Sequence, residues 1–98
     1  MIRHVSVITF VDDVSEAEVA AIEAALAELP ARLPQLRAYT FGRDLVLADT
    51  NASFAVVADF DDVAGYEAYR SDPEHRRILA ELIQPRMSAR AAVQYEIS

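Results

Sequence analysis

The residue types best suited to catalysis in this chain are two tyrosines and two histidines. Tyr66 and Tyr69 lie three residues apart, so a helix would place them on one face. Pro73 predicts the start of a further helix, with His75 in its first turn. His4, the other histidine, lies in a strand-like run near the amino terminus. This tyrosine–histidine group beside apolar strands is the arrangement from which we predict a functional site.

Each of these side chains has a catalytic interpretation and a structural one. A neutral His75 could remove an acidic proton that lies between two carbonyl groups, and the positive end of a helix dipole favours the neutral ring; alternatively, the ring only braces the turn. The Tyr69 hydroxyl could polarise a substrate carbonyl, or it is a buried aromatic residue with one hydrogen-bond partner. His4 would line a cavity or a dimer seam, and Gln94 could fix an imidazole tautomer.

The acidic composition disfavours two classes of binding partner. A net charge of −7 at pH 7 disfavours nucleic acid and anionic membranes, because both bind cationic protein surfaces. No apolar run reaches the roughly 18 residues of a membrane span, and the first residues lack the pattern of a signal peptide. We therefore expect a cytoplasmic protein with no nucleic-acid partner and no membrane partner.

Cysteine, histidine and glycine usage limits the chemistry of the site. The chain has no cysteine, which excludes disulfides, thiolate catalysis and thiolate metal ligands. Its two histidines are far apart in sequence, without the spacing of a zinc motif. Its two glycines, Gly42 and Gly65, form no glycine-rich phosphate loop. We therefore predict no metal site.

Strand and helix signals alternate along the 98 residues, which we expect to form one domain (1–98). Ser15 and Glu18 form a capping box that begins the first helix, and two prolines, at 30 and 34, end it. Asp61 or Asp62 begins a short helix, and Pro73 begins the next one. Strands are predicted over residues 2–10, 36–42, 53–60 and 90–97. The order β-α-β-β-α-β, with the second helix split, predicts a ferredoxin-like α+β fold.

A sheet covered by helices on one face leaves the other face uncovered. We expect that uncovered face to carry Ile8, Phe10, Tyr39, Phe41, Phe54 and Val56. It would be too apolar to remain in water, so two protomers would pair across a two-fold axis and bury it. The predicted product is a homodimeric α/β barrel with one cavity in each half. The residues predicted to line that cavity are Ser6, Ile8, Tyr39, Phe41, Phe54, Val56 and Gln94.

Five segments spread over the whole chain carry a family resemblance. They are Ile2-Arg-His-Val, Gly42-Arg-Asp with Asn51 downstream, the run Phe54 to Asp62, Tyr66-x-x-Tyr69-x-x-Asp-Pro-x-His75, and Ala92-Val-Gln-Tyr-Glu. Together they resemble the Dabb family, the stress-responsive dimeric A/B barrel domain. The resemblance implies a ferredoxin-like protomer, a homodimeric barrel and no cofactor.

The resemblance implies function only for a few members, which are similar to polyketide cyclases that close a linear poly-β-ketone by aldol condensation. This chain retains His4, Tyr69 and His75. It departs from the family pattern at Asp72, where a histidine is frequent, and at Gln94, where an aspartate is frequent.

Two hypotheses of function follow. In the first, the protein is a cofactor-independent, polyketide-cyclase-like enzyme with His75 as base, Tyr69 as carbonyl donor and His4 as a third polar group. In the second, it is a non-catalytic barrel protein that either binds a small apolar ligand or serves as a stress-responsive structural protein.

Overall fold

The computed structural model describes all 98 residues and has a ferredoxin-like α+β fold. The strands are β1 (Ile2–Phe10), β2 (Ala38–Arg43), β3 (Phe54–Phe60) and β4 (Met87–Glu96). The helices are α1 (Glu16–Ala27), α2 (Leu29–Arg32), α3 (Val63–Ser71) and α4 (Pro73–Ile78), and α4 continues through a π-helical turn (Leu79–Ile83) and a 3₁₀ turn (Gln84–Arg86). None of these helices has the length and apolar content needed to cross a bilayer.

The four strands form one antiparallel sheet in the order β2-β3-β1-β4. His4 of β1 lies opposite Ala58 of β3 and Gln94 of β4. Because side chains alternate between the two faces of a strand, these three residues share one face of the sheet. The register therefore places His4 and Gln94 side by side on the face that the helices cover.

Carboxylate and hydroxyl caps begin the helices at the predicted places. The capping box is confirmed: the Ser15 hydroxyl accepts the Glu18 N–H at 3.1 Å, and the Glu18 carboxylate accepts the Ser15 N–H at 2.9 Å. Asp62, rather than Asp61, accepts a backbone N–H of α3 at 2.9 Å. Asp72 caps α4 in the same way. These caps satisfy backbone donors that a helix leaves without partners.

Three of the four strands differ from their predicted bounds, most of all at the starts of β2 and β4. β2 begins at Ala38 rather than at residue 36. β4 begins at Met87 rather than at residue 90, because pairing with β1 continues past an irregularity in the ladder as far as Phe10. The longer β4 brings Met87 and the residues after it beside the end of the α4 segment.

The predicted composition of the uncovered sheet face is wrong. Six residues expected there instead face the helices: Ile8, Phe10, Tyr39, Phe41, Phe54 and Val56. Ile8 and Phe54 are each only 2 % exposed in the single protomer, where they belong to the same apolar core as Leu26 of α1. The apolar face of α1 needs a partner, and the larger side chains of the sheet supply it.

The face that no helix covers is nevertheless apolar, with smaller side chains. Strand parity places on it Val5, Val7, Ala55, Val57, Ala91, Val93 and Tyr95. Val93 and Tyr95 are 54 % and 47 % exposed in the protomer. Contiguous apolar surface of this kind marks an interaction site. We therefore still expect a partner to bury this face, through these smaller residues instead of the six predicted ones.

Two neighbouring substitutions should separate core from interface. Val56→Asp should unfold the protomer, because an unpaired carboxylate in a core costs about 3–5 kcal/mol. Val57→Asp should instead leave far-UV circular dichroism unchanged and weaken self-association about 100-fold or more, because its charge would be buried only between protomers. Sedimentation measures the association. A wild-type monomer at micromolar concentration, or a Val57→Asp variant that associates normally, would contradict this assignment.

Candidate functional site

A cavity of about 430 Å³ opens between the helix-facing side of β1 and β4 and the segment from α3 through α4. Six of its twelve lining residues are hydrophobic. The lining consists of His4, Tyr66, Tyr69, Arg70, His75, Leu79, Ile83, Gln84, Met87, Arg90, Ala92 and Gln94. Its size falls in the range of small-molecule sites, and apolar walls with a few polar groups are typical of such sites.

The Asp72 carboxylate fixes the start of α4, the helix on one side of the cavity. Asp72 accepts the His75 N–H at 2.9 Å and the Arg32 Nε–H at 3.1 Å from each of its oxygens. Burial acts to raise the pKa of Asp72, but these hydrogen bonds outweigh it and hold the pKa below its ordinary value. The ionised carboxylate therefore holds the α3–α4 junction, which carries both Tyr69 and His75.

His75 is held as a buried, neutral ring. It is 7 % exposed, and its ring lies 4.0 Å from that of Tyr69, measured between ring centroids. Burial lowers the pKa of His75, and the charge of Asp72 opposes the shift without cancelling it. Its buried Nδ1 makes no hydrogen bond of good geometry within the protein, although the backbone of Arg70 and Tyr69 is close enough to oppose the fall in pKa. A neutral imidazole beside a cavity is able to accept a proton at neutral pH.

His4 is also neutral, and a neighbouring amide orients it. The Gln94 Nε2 lies 2.8 Å from the His4 Nδ1. With this amide nitrogen donating, Nδ1 is the acceptor and the ring proton lies on Nε2. Burial lowers the pKa of His4 to about 4, and the charge of Arg90 and the ring of His75 act in the same direction. His4 can therefore offer a hydrogen bond but is a poor base.

Tyr69 supplies a protonated hydroxyl. It is 3 % exposed, and burial raises its pKa. Its hydroxyl oxygen lies 3.5 Å from that of Tyr39, at the limit of a hydrogen bond. The contact is long, so the Tyr69 hydroxyl is only weakly engaged within the protein.

The residues predicted to line the cavity lie in three different places. Ser6, Ile8 and Val56 border a small space of about 40 Å³ that also touches His4, Tyr69 and His75. Gln94 lines the main cavity. Three predicted aromatic residues line neither space: Phe54 is in the core, and Tyr39 and Phe41 are partly buried against it. They lie on β2 and at the start of β3, whereas the cavity lies over β1 and β4.

Sequence reasoning missed Arg90, Ala92 and Met87 as lining residues. Arg90 and Ala92 lie four and two residues before Gln94 in β4, so they share its face. The alternation around Gln94 was the signal that could have identified both. Met87 could not be found in this way, because it precedes the predicted start of the strand.

No group of three or more His, Asp and Glu side chains is arranged to hold a metal ion. His4 and His75 both line the cavity, but no carboxylate lines it beside them.

A family model and several solved structures are similar to this chain. The model of the stress responsive A/B barrel domain, Dabb, matches residues 2–97. A dimeric ferredoxin-like protein of unknown function from Thermobifida fusca YX is 44 % identical, with a TM-score of 0.91, over 98 % of this chain and 90 % of that chain. A dimeric protein of unknown function with a ferredoxin-like fold from Bacteroides fragilis NCTC 9343 is 26 % identical, with a TM-score of 0.79, over 98 % and 95 % of the two chains.

A hydroxynitrile lyase from Passiflora edulis is also similar in structure. Its TM-score is 0.85 at 19 % identity, over 99 % of this chain and 93 % of that chain. At this identity the likeness shows the fold alone. No curated protein matches the chain.

The neutral histidines should make stability depend on pH. The unfolded chain protonates histidine near pH 6.5, whereas folded His4 does so near 4, so the unfolded state binds more protons between these values. The free energy of unfolding should therefore fall as pH drops through this window, by at most about 3 kcal/mol for His4. Urea unfolding at several pH values measures the loss. His4→Gln should flatten the dependence, and an unchanged slope in this variant would contradict a neutral, buried His4.

Proposed function

The chain belongs to the Dabb family, and on that premise we propose that it is an enzyme that closes a linear poly-ketone into a ring by aldol condensation. The observation that carries the proposal is the buried, neutral His75. Its ring packs against Tyr69 at the wall of a small-molecule cavity, and its Nδ1 makes no hydrogen bond of good geometry in the protein. Such a group is suited to proton abstraction rather than to structural bracing alone.

In the proposed reaction, His75 removes a proton from a carbon that lies between two carbonyl groups. The enolate carbon then attacks a distant carbonyl carbon of the same molecule, which forms the new carbon–carbon bond. The electron pair of that carbonyl moves to its oxygen, and the oxygen takes the proton back from His75. Loss of water then gives the ring its double bond, so the enzyme neither gains nor loses a proton over the cycle.

Two donors support the developing negative charge. The Tyr69 hydroxyl keeps its proton because burial raises its pKa. The His4 ring carries a proton on Nε2 when Gln94 occupies Nδ1. Hydrogen bonds to a developing oxyanion are among the larger contributions to catalysis. We assign Tyr69 and His4 to this role and His75 to the role of base.

Gln94 separates the roles of the two histidines. An aspartate at this position would stabilise a protonated His4, whereas an amide carries no charge and leaves the ring neutral. The chain would then have one base, His75, and one histidine donor, His4. The departure of this chain from the family pattern is therefore compatible with the proposed reaction.

The apolar wall suits the hydrocarbon part of such a substrate. Leu79, Ile83 and Met87 line the cavity together with the polar groups. A folded poly-ketone in contact with these side chains would bring its two ends together with little surrounding water. Holding both ends in reacting geometry is itself a large part of the rate advantage of an enzyme.

The proposal includes a homodimer, because the uncovered sheet face is apolar and two similar proteins are described as dimeric. It also includes a reaction that needs no cofactor and a cytoplasmic location.

The test uses the ethyl ester of a linear eight-carbon 3,5,7-triketo acid, whose ring closure gives a dihydroxy-methylbenzoate ester and water. Absorbance of the aromatic product measures the rate. His75→Gln should lower kcat by about 100-fold or more, the contribution of a general base. Tyr69→Phe should lower it by about 100-fold or more, because it removes one oxyanion donor. Arg76→Gln alters an exposed neighbour of His75 that does not line the cavity and is the matched control.

A different set of results would favour the alternative, a non-catalytic binding protein. The wild type would bind the ester without accelerating ring closure, and His75→Gln would change its affinity by only about 1 kcal/mol, the net value of one hydrogen bond. A large loss of melting temperature in His75→Gln would instead make His75 a structural residue. Equal rates in wild type and His75→Gln, with both folded, would exclude His75 as the base.

A further inference from the structure

The cavity contains a cation that no protein carboxylate neutralises. All nine basic residues of the chain are arginines, against sixteen acidic residues. Seven of the arginines have a carboxylate oxygen within 4.0 Å, and the two that do not are Arg76 and Arg90. Both side chains are exposed, but Arg76 lies on α4 away from the cavity, whereas Arg90 lines it. Arg90 is therefore a guanidinium at the cavity wall without a carboxylate partner.

The position of Arg90 is defined by its neighbours in the sheet. It lies opposite Ile8 of β1, and its Nε donates to the hydroxyl of Ser6 at 3.1 Å. Ser6 is itself only 6 % exposed. A guanidinium has five N–H donors, so the remaining four have no acceptor in the protein. Ser6 therefore anchors one side of the group and leaves the rest free for a ligand.

The charged side chains that line the cavity are all positive. No aspartate or glutamate lines the cavity, and both histidines in it are neutral. Arg70, at the same cavity, makes only a loose, exposed contact of 3.9 Å with Glu67. The charge of Arg90 acts on both histidine rings, so the guanidinium is close to the reacting groups. The lining of the cavity is therefore positively charged.

We propose that the ligand of this cavity carries a carboxylate and that Arg90 binds it. The planar fork of arginine matches the two oxygens of a carboxylate, and such charge-assisted pairs are roughly twice as strong as neutral hydrogen bonds. The substrate class would be a linear poly-keto acid, with the acid at Arg90 and the acidic carbon at His75. The inference rests on the proposed function only in taking the same cavity as the site.

The test compares phenylpropanoate with phenylpropanamide, which have nearly the same shape and differ in charge. Calorimetry at neutral pH and low salt measures the affinity of the whole protein for each. The wild type should bind the acid about ten-fold more tightly than the amide, or better. Arg90→Gln should remove this preference and leave amide binding nearly unchanged. Arg76→Gln removes the other unpaired arginine and should keep the full preference.

The preference should also fall at high salt, because Arg90 is exposed to solvent and its charge is screened. Equal affinity of the wild type for acid and amide would overturn the proposal, as would binding of neither probe. A preference for the acid that survives Arg90→Gln would overturn it too. None of these measurements requires turnover. Failure of ring closure with Arg90-dependent acid binding would therefore overturn the proposed reaction and leave this inference standing.

Discussion

The helical layer covers only one face of the sheet, and on that face it leaves the edge strand β4 largely open. Nearly every residue of β4 is exposed in the protomer, while the helix-facing residues of β1 and β3 are buried. The packed core therefore forms over β1, β2 and β3. The gap between β4 and the α3–α4 segment becomes the cavity, and the other face of the sheet is left apolar and uncovered. The core, the candidate site and the expected dimer surface all follow from this incomplete cover.

Beside the gap, Asp72 links the start of α4 to the position and protonation state of His75. Its carboxylate caps α4 through the backbone of His75, and Arg32 holds it ionised and in place. The same junction presses the His75 ring against Tyr69, away from water. Burial then keeps the ring neutral even though a carboxylate lies near it. A residue that departs from the family pattern thus supports the candidate base through the backbone, without touching the cavity.

The local features of the fold were predictable from the sequence because each rests on neighbouring residues. The Ser15–Glu18 capping box, the helix start at Asp72-Pro73 and the order of elements depend on short-range patterns, and all are present. The assignment of sheet faces failed for a physical reason. Both alternation sets of β1 are apolar, so period-two spacing shows which residues share a face but not which face the helices cover. Burial settles it: Ile8 and Val56 lie under the helices, and Val57 does not.

Neutral histidines at the cavity wall are the central claim, and the chain makes it directly measurable because His4 and His75 are its only histidines. Titration of their ring nitrogens and carbon-bound protons by NMR, with His75→Gln to assign the signals, reports both protonation states in the intact protein. The account predicts that both rings are neutral at pH 7, that both titrate below 6.5 with His4 near 4, and that His4 carries its proton on Nε2. A ring that is protonated at pH 7, or that titrates at or above 6.5, would contradict it.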